Sequence, residues 1–236
     1  MKGLVIIPTY NEAENIAHVI ERTNSTDKSI DILVIDDNSP DGTAEIVRNL
    51  KEKYKNIYLV VRKKKMGLGT AYIEGFKWAM KNSYAFVFEM DADLSHNPAD
   101  IPRFLKELKK YDMVIGSRYI KGARIENWPV TRWFLSFIAN LYARVVTGAG
   151  IKDMTSGYKC IKTEMLKKIP LDSIKVDGYG FQIEIDFRVW KKGGRIKEIP
   201  IVFRDRKKGV SKLSRRIIWQ AFWLVLKLGF ERFKKA

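Results

Sequence analysis

The chain has 236 residues, with 44 Lys and Arg against 27 Asp and Glu, two His and a single Cys. One Cys excludes an internal disulfide, and one Cys with two His cannot complete a tetrahedral Cys/His zinc site, so any metal is held largely by oxygen, as magnesium or manganese is. A hydrophobic content of 46% and a charged content of 30% exclude a disordered or collagenous chain and fit one large domain, or one domain with an appendage.

In chain order, Leu4-Val5-Ile6-Ile7 is a short apolar run that reads as a buried strand, too short before Pro8 to be a signal peptide, which places the chain in the cytoplasm. Ile16, Val19 and Ile20 then recur at helical spacing within residues 12–22. The unit repeats, with strands expected at 30–35, 57–61, 84–90 and 113–115 and helices at 43–54, 70–80 and 98–110. Alternating strands and helices with apolar strands imply a mostly parallel sheet covered by helices. Ligands bind such sheets at the carboxyl ends of the strands, and polar residues cluster there. Asp36-Asp37-Asn38-Ser39-Pro40-Asp41-Gly42 follows Ile35, Asp91-Ala92-Asp93-Leu94-Ser95-His96 follows Met90, and Gly116-Ser117-Arg118-Tyr119 follows Ile115.

A helical pattern resumes over 130–146 and is broken by glycines 148 and 150; a loop and short strand are expected through 153–161, a helix over 182–192 and one strand over 196–203. The linker 205–211 is cationic, and residues 188–236 hold 16 Lys and Arg against 3 Asp and Glu, so the C-terminal fifth carries most of the positive charge and attracts phosphates. The last element, about 212–235, reads as a helix with Arg216, Gln220, Lys227, Glu231 and Lys234 near one stripe and apolar residues elsewhere. Its run of 14 residues from 217 to 230 falls short of the ~20 needed to span a bilayer. Such a helix is expected in the membrane interface or docked on a membrane partner. The expected division is therefore a catalytic domain over 1–211 and a docking helix over 212–236.

Asp91 and Asp93, at i and i+2 after a buried strand, can reach a common cation, and a divalent ion bridging a diphosphate is the natural use. His96 stands beside the pair, whereas Cys160 has no thiolate-stabilising motif and reads as core. Pro8-Thr9-Tyr10-Asn11-Glu12 follows the first strand, yet neither Gly-x-Gly-x-x-Gly nor a P-loop occurs, which disfavours hydride transfer and P-loop chemistry. Arg118, Arg132, Arg206 and Lys212, together with an acidic metal site, make a place for two phosphate-bearing substrates.

Six segments in order, Val5 through Glu12, Val34 through Thr43, Gly67-Leu68-Gly69-Thr70-Ala71, Met90 through His96, Gly116-Ser117-Arg118-Tyr119 and Ser211-Lys212-Leu213, resemble the dolichyl-phosphate mannose synthases. These are inverting glycosyltransferases of family 2 with a Rossmann-like GT-A fold. The resemblance implies transfer of mannose from GDP-mannose to the phosphate of a membrane polyprenol, with Mg2+ or Mn2+ as cofactor. It assigns Pro8, Tyr10, Glu12, Ile35 and Asp37 to the nucleotide base and ribose, and Asp91, Ala92 and Asp93 to the sugar diphosphate. Asp93 is then the principal metal ligand, with Ser95 beside it where some members carry Gln. Arg118, Arg206 and Lys212 are assigned to phosphates, with Asp91, Asp93 and Arg118 as the catalytic set; Gln182 stands where some members carry Lys. The expected location is the cytoplasmic side of a membrane, peripherally bound, directly or through a small anchoring subunit. The acidic motif does not choose the base, so a same-fold transferase using UDP-glucose stays open. A basic RNA-binding module is disfavoured, and no nucleic acid partner is expected, because the charge is segregated beside an apolar helix and acidic strand ends repel phosphates.

Overall fold

The structure is a computed structural model that describes residues 2–205 and 215–234, with the side chains of the terminal helix described from Trp219 onward. Strand β1 (Gly3–Thr9) leads to helix α1 (Ile16–Thr26), β2 (Ile30–Asp36) to α2 (Thr43–Lys53), and β3 (Ile57–Val61) to α3 (Leu68–Lys81). β4 (Phe86–Glu89), a 3-10 turn with α4 (Ile101–Leu108), β5 (Met113–Ser117) and β6 (Arg124–Glu126) follow. Then come α5 (Val130–Thr147), β7 (Lys159–Lys162), α6 (Thr163–Leu166), α7 (Tyr179–Lys191), β8 (Ile196–Pro200), β9 (Val202–Arg204) and α8 (Arg215–Glu231).

Among the described residues the main sheet has the strand order β3-β2-β1-β4-β7-β5-β8, with β6 and β9 forming a separate pair. Every pairing in the main sheet is parallel except those made by β7, which lies antiparallel between β4 and β5. The period of two along β1 divides the core: Leu4 and Ile6 face one apolar cluster with Tyr72, Phe76 and Phe181, while Val5 and Ile7 face the other with Ile16, Val19 and Phe104. Gly75 lets α3 lie directly on β1, since a Cβ there would come within 2.7 Å of the Ile6 side chain.

The mostly parallel, helix-covered sheet is as expected, with corrections at three points. The strand expected over 196–203 is two: β8 pairs with β5 as far as Ser117 and Pro200, and the chain then leaves the sheet so that β9 can pair with β6. β6 itself is too short to show a periodicity. The helix expected from residue 98 opens as a 3-10 turn, Pro98–Asp100, capped by the Asn97 side chain accepting from Ala99 N. The first helix begins at Ile16 rather than residue 12, after a turn in which Ile16 N donates to the Glu12 carbonyl. The terminal helix α8 buries Leu224, Val225 and Leu228 in the core cluster it shares with α7, and exposes Trp219, Trp223 and Phe230.

Candidate active site

The carboxyl ends of β1, β2, β4 and β5 open into one cleft of about 290 Å3, with Pro8, Tyr10, Glu12 and Asp37 on one wall and Asp91, Ala92, Asp93, Arg118 and Gln182 on the other. The first wall is tied together by the acidic turn after β2. Asp36 is fully buried; its Oδ1 accepts from Thr9 Oγ1 at 2.8 Å and Ser39 Oγ at 2.6 Å, which fixes the end of β1 to the turn. Thr43 Oγ1 accepts from Glu12 N and Asp41 Oδ2 from Ala13 N, each at 3.0 Å, so the loop after β1 hangs on the start of α2. Asp37 takes a different load. Its carboxylate receives the Arg62 Nε donor on Oδ1 and the backbone N–H groups of Met66 and Gly67 on Oδ2. Arg62 is itself buried and donates onward to Thr70 Oγ1 and the Gly67 carbonyl, locking the segment between β3 and α3 against the cleft. Lys65 on that segment places its ammonium 4.1 Å from the centre of the Tyr10 ring, at the cleft wall.

After β4 the chain turns sharply, with Leu94 held at a left-handed φ of 66°. A branched residue there costs on the order of 1–2 kcal/mol, and Asp93 offsets it locally, because its Oδ1 accepts from both Ser95 N at 3.1 Å and Ser95 Oγ at 2.6 Å. Ser95 is buried with its hydroxyl directed onto Asp93 and is not a lining residue of the cleft. His96 is buried too, stacked on Tyr158 with ring centres 4.9 Å apart. Its Nδ1 accepts the Asp91 backbone N–H at 3.1 Å, which puts the ring proton on Nε2, 3.8 Å from Asp91 Oδ2. Burial pushes the His96 pKa down to about 4, so the ring is neutral at physiological pH and steadies Asp91 as a dipole.

Among the described residues no three His, Cys, Asp or Glu side chains converge on a metal position. The donor set nevertheless fits a hard divalent ion: two carboxylates, Asp91 and Asp93, line an open cleft, and ions such as Mg2+ are commonly held by one or two carboxylates plus substrate phosphates. Arg118 lines the same cleft and is held in one orientation. Its Nε and Nη2 donate to Asp153 at 2.9 and 2.7 Å and Nη2 also to Thr155 Oγ1 at 2.8 Å, while Trp128, Phe203 and Tyr119 surround the guanidinium with centroids 5.3 to 5.6 Å away. Arg132 stacks on Trp128 at 4.3 Å and bonds Asp205 at 2.7 Å, bringing a further guanidinium to the cleft.

Beneath this floor lies a buried charged group. Strand register sets Glu89 beside Lys159, whose ammonium donates to Asp186 Oδ1 at 2.5 Å and to the Gln182 carbonyl at 3.0 Å. Among the described residues neither Glu89 oxygen has a hydrogen-bond partner. Burial raises the Glu89 pKa to about 7, against the opposing pull of Lys159 and the nearby Gln182 amide. Burial raises that of Asp186 as well, again opposed by Lys159.

Of the residues singled out in the sequence, the cleft gathers Pro8, Tyr10, Glu12, Asp37, Asp91, Ala92, Asp93, Arg118, Gln182, His96 and Arg132. Ile35 is buried in the core and Ser95 lies behind Asp93, while Arg206 and Lys212 lie outside the described residues. Sequence reasoning missed Arg62, Trp128, Asp177 and Phe203, which also line the cleft. Arg62 stands directly after a strand and shares the signal that marked Asp37; Asp177, whose Oδ1 accepts from Gly69 N at 2.8 Å, and Phe203 carry no local signal because distant segments bring them in.

Residues 4–170 match the family model of glycosyl transferase family 2. The chain is 40% identical over 229 residues to the undecaprenyl-phosphate mannosyltransferase of Micrococcus luteus, covering 97% of this chain and 94% of that protein. It is 41% identical to the polyprenol monophosphomannose synthase of Mycolicibacterium smegmatis, covering 97% and 87%. To the dolichol-phosphate mannosyltransferase of Pyrococcus furiosus it is 36% identical, covering 93% of this chain and 61% of that one. In architecture it is similar to the glucosyl-3-phosphoglycerate synthase of Mycobacterium tuberculosis solved with Mn2+, uridine diphosphate and phosphoglyceric acid, with a TM-score of 0.70 at 18% identity and coverage of 97% and 78%. With a GT-A-type sheet, the acidic pair at the end of β4 and matches over most of its length, the chain belongs to glycosyl transferase family 2.

Proposed function

We propose that this glycosyltransferase moves mannose from GDP-mannose to the phosphate of a membrane polyprenol, inverting the anomeric centre, with Mg2+ or Mn2+ as cofactor. The observation that carries this reading is the near full-length similarity to two relatives named for mannose transfer to a polyprenyl phosphate. The cleft supports it by gathering the carboxylates of Asp91 and Asp93 with the guanidiniums of Arg118 and Arg132, a set of groups suited to a divalent ion, a diphosphate and one further phosphate.

A phosphate monoester has a second pKa near ~6, so the acceptor is already an anionic nucleophile at neutral pH and needs no strong base. Its oxygen forms the new bond to the anomeric carbon as the bond to the diphosphate oxygen breaks, and the electron pair leaves with the nucleoside diphosphate. Asp91 and Asp93 would hold a divalent ion, which when bound would supply charge neutralisation at that leaving group. His96 fixes Asp91, and Ser95 fixes Asp93. Arg118 is orientated before any ligand arrives, because Asp153, Thr155 and three rings leave it one position; a fixed cation needs no reorganisation during the reaction. Tyr10, Glu12 and Asp37 form the wall for the nucleotide, and Arg206 and Lys212 complete the phosphate contacts in this proposal. The chain works peripherally at the cytoplasmic face of a membrane, with residues 212–236 as the docking element, on lipid or on a small anchoring subunit. Among the described residues no helix is long and apolar enough to cross a membrane.

Purified protein incubated with Mg2+ or Mn2+, a polyprenyl phosphate and labelled GDP-mannose is expected to place label in the organic-extractable lipid. Label from UDP-glucose alone, run in parallel, would overturn the donor assignment and keep the fold and acceptor; label from neither, in detergent, would overturn the reaction.

A further inference from the structure

Helix α5 is inverted in polarity. The stripe it buries is small and polar: Asn140, Ala143 and Thr147 are buried, Ser136 is half-buried, and Asn140 Nδ2 donates to Thr155 Oγ1 at 3.0 Å inside the protein. The stripe it exposes is apolar. Val130, Phe134, Phe137, Ile138, Leu141 and Val145 recur at helical spacing, with Phe134 59% and Val145 65% exposed. A helix packed for water shows the opposite arrangement. No Asp or Glu occurs anywhere in α5.

The apolar stripe does not stand alone. α8 runs beside α5 in the same direction: Tyr142 stacks on Phe222 at 5.2 Å and donates its hydroxyl to the Phe222 carbonyl at 3.2 Å, and Gly229 lies against Val146. α8 exposes Trp219 and Trp223, each 62%, against the Phe222 ring that stacks on Tyr142, and the cations Lys227, Arg232 and Lys234 are exposed on α8 and just after it. At its other end the stripe is continuous with the cleft: Phe137 meets Tyr119 edge-on at 6.0 Å and stacks on Trp133 at 5.5 Å, one residue from the cleft-lining Arg132.

We infer that the exposed stripe of α5, flanked by α8, is a bilayer-embedding surface for membranes with anionic headgroups, and that it sets the mouth of the cleft at headgroup level. An apolar, acid-free face rich in Phe, with Trp and Lys or Arg at its margin, has the composition of an interfacial helix, whose apolar side enters the headgroup–acyl boundary while the cations meet anionic lipid. The inference rests on the proposed lipid acceptor for its purpose, because embedding α5 carries Arg132 and Arg118 to the depth at which lipid phosphates lie. It differs from docking through the terminal helix in naming a second helix, inside the catalytic domain, as an apolar contact of its own.

The test is flotation of the full chain with vesicles of phosphatidylcholine containing phosphatidylglycerol, comparing the wild type with Phe134→Glu/Ile138→Glu. Both side chains are exposed and neither lines the cleft, so the melting temperature is expected to hold. The double variant is expected to need at least about tenfold more lipid for half-binding, a factor that corresponds to roughly 1.4 kcal/mol, below the transfer value of a single fully buried Phe. In parallel, both proteins receive labelled GDP-mannose and a short-chain, water-soluble polyprenyl phosphate without membranes, where equal turnover is expected. Unchanged vesicle binding in the variant would overturn the inference, as would a wild type that self-associates through this face and ignores vesicles. Loss of vesicle binding with no transfer by either protein would uphold the embedding surface while removing the proposed reaction.

Discussion

The buried group under the cleft gives the sharpest test of the electrostatic reading. Glu89 is fully buried, its carboxylate oxygens lack hydrogen-bond partners among the described residues, and the adjacent Lys159 ammonium is already bonded to Asp186. Burial moves the Glu89 pKa from 4.5 to about 7. At about 1.36 kcal/mol per pH unit this is linked to about 3 kcal/mol of stability. The sign follows from which state holds the proton. Between pH 4.5 and about 7 the folded protein keeps the Glu89 proton and the unfolded chain releases it, so this contribution is fully present below 4.5 and is lost as pH rises to about 7. Glu89→Gln preserves shape and removes the titration. Thermal melts from pH 4 to 8 are expected to fall more steeply in the wild type than in the variant, by about 6–12 °C at 2–4 °C per kcal/mol for a chain of this size. Parallel pH profiles for the two proteins would refute the reasoning, because Glu89 would then not be the group holding the proton.

Asp93→Ala is expected to lower metal-dependent sugar transfer by at least about a hundredfold, the scale seen when one preorganised electrostatic group is removed, with an unchanged far-ultraviolet spectrum; undiminished turnover over a Mn2+ titration would remove the metal assignment. Asp153→Ala strips the buried Arg118 of its bidentate partner and should cost about 3–5 kcal/mol in denaturant unfolding, whereas a loss near zero would mean that the pair contributes nothing to the cleft's rigidity. Deleting α8 would uncover Leu224, Val225 and Leu228, so the terminal helix is better probed by Trp219→Ser/Trp223→Ser. That variant should weaken vesicle binding while GDP affinity, read by calorimetry, stays unchanged; equal flotation would remove these two indoles from the membrane contact.

The sequence alone determined the order and kind of most elements, because helical and strand periods differ and β1, β2, β4 and β5 are buried, mostly apolar runs. It also located the acidic clusters, since a charged run directly after an apolar strand can lie only at a strand end, and the end of a parallel strand is where a cleft forms. The sequence did not reveal which of those charges face a ligand. Asp36 and Asp37 are adjacent carboxylates, yet one is buried in the turn and the other is bound to Arg62 at the cleft wall, a division set by side-chain direction and distant partners. Tertiary structure alone decided the antiparallel entry of β7, which makes Lys159 a neighbour of Glu89, and the fixing of Arg118 by Asp153, 35 residues on. It alone showed α5 turned with its apolar side outward, because a periodicity states that a helix has two faces and only the packing of the rest of the chain decides which face is covered.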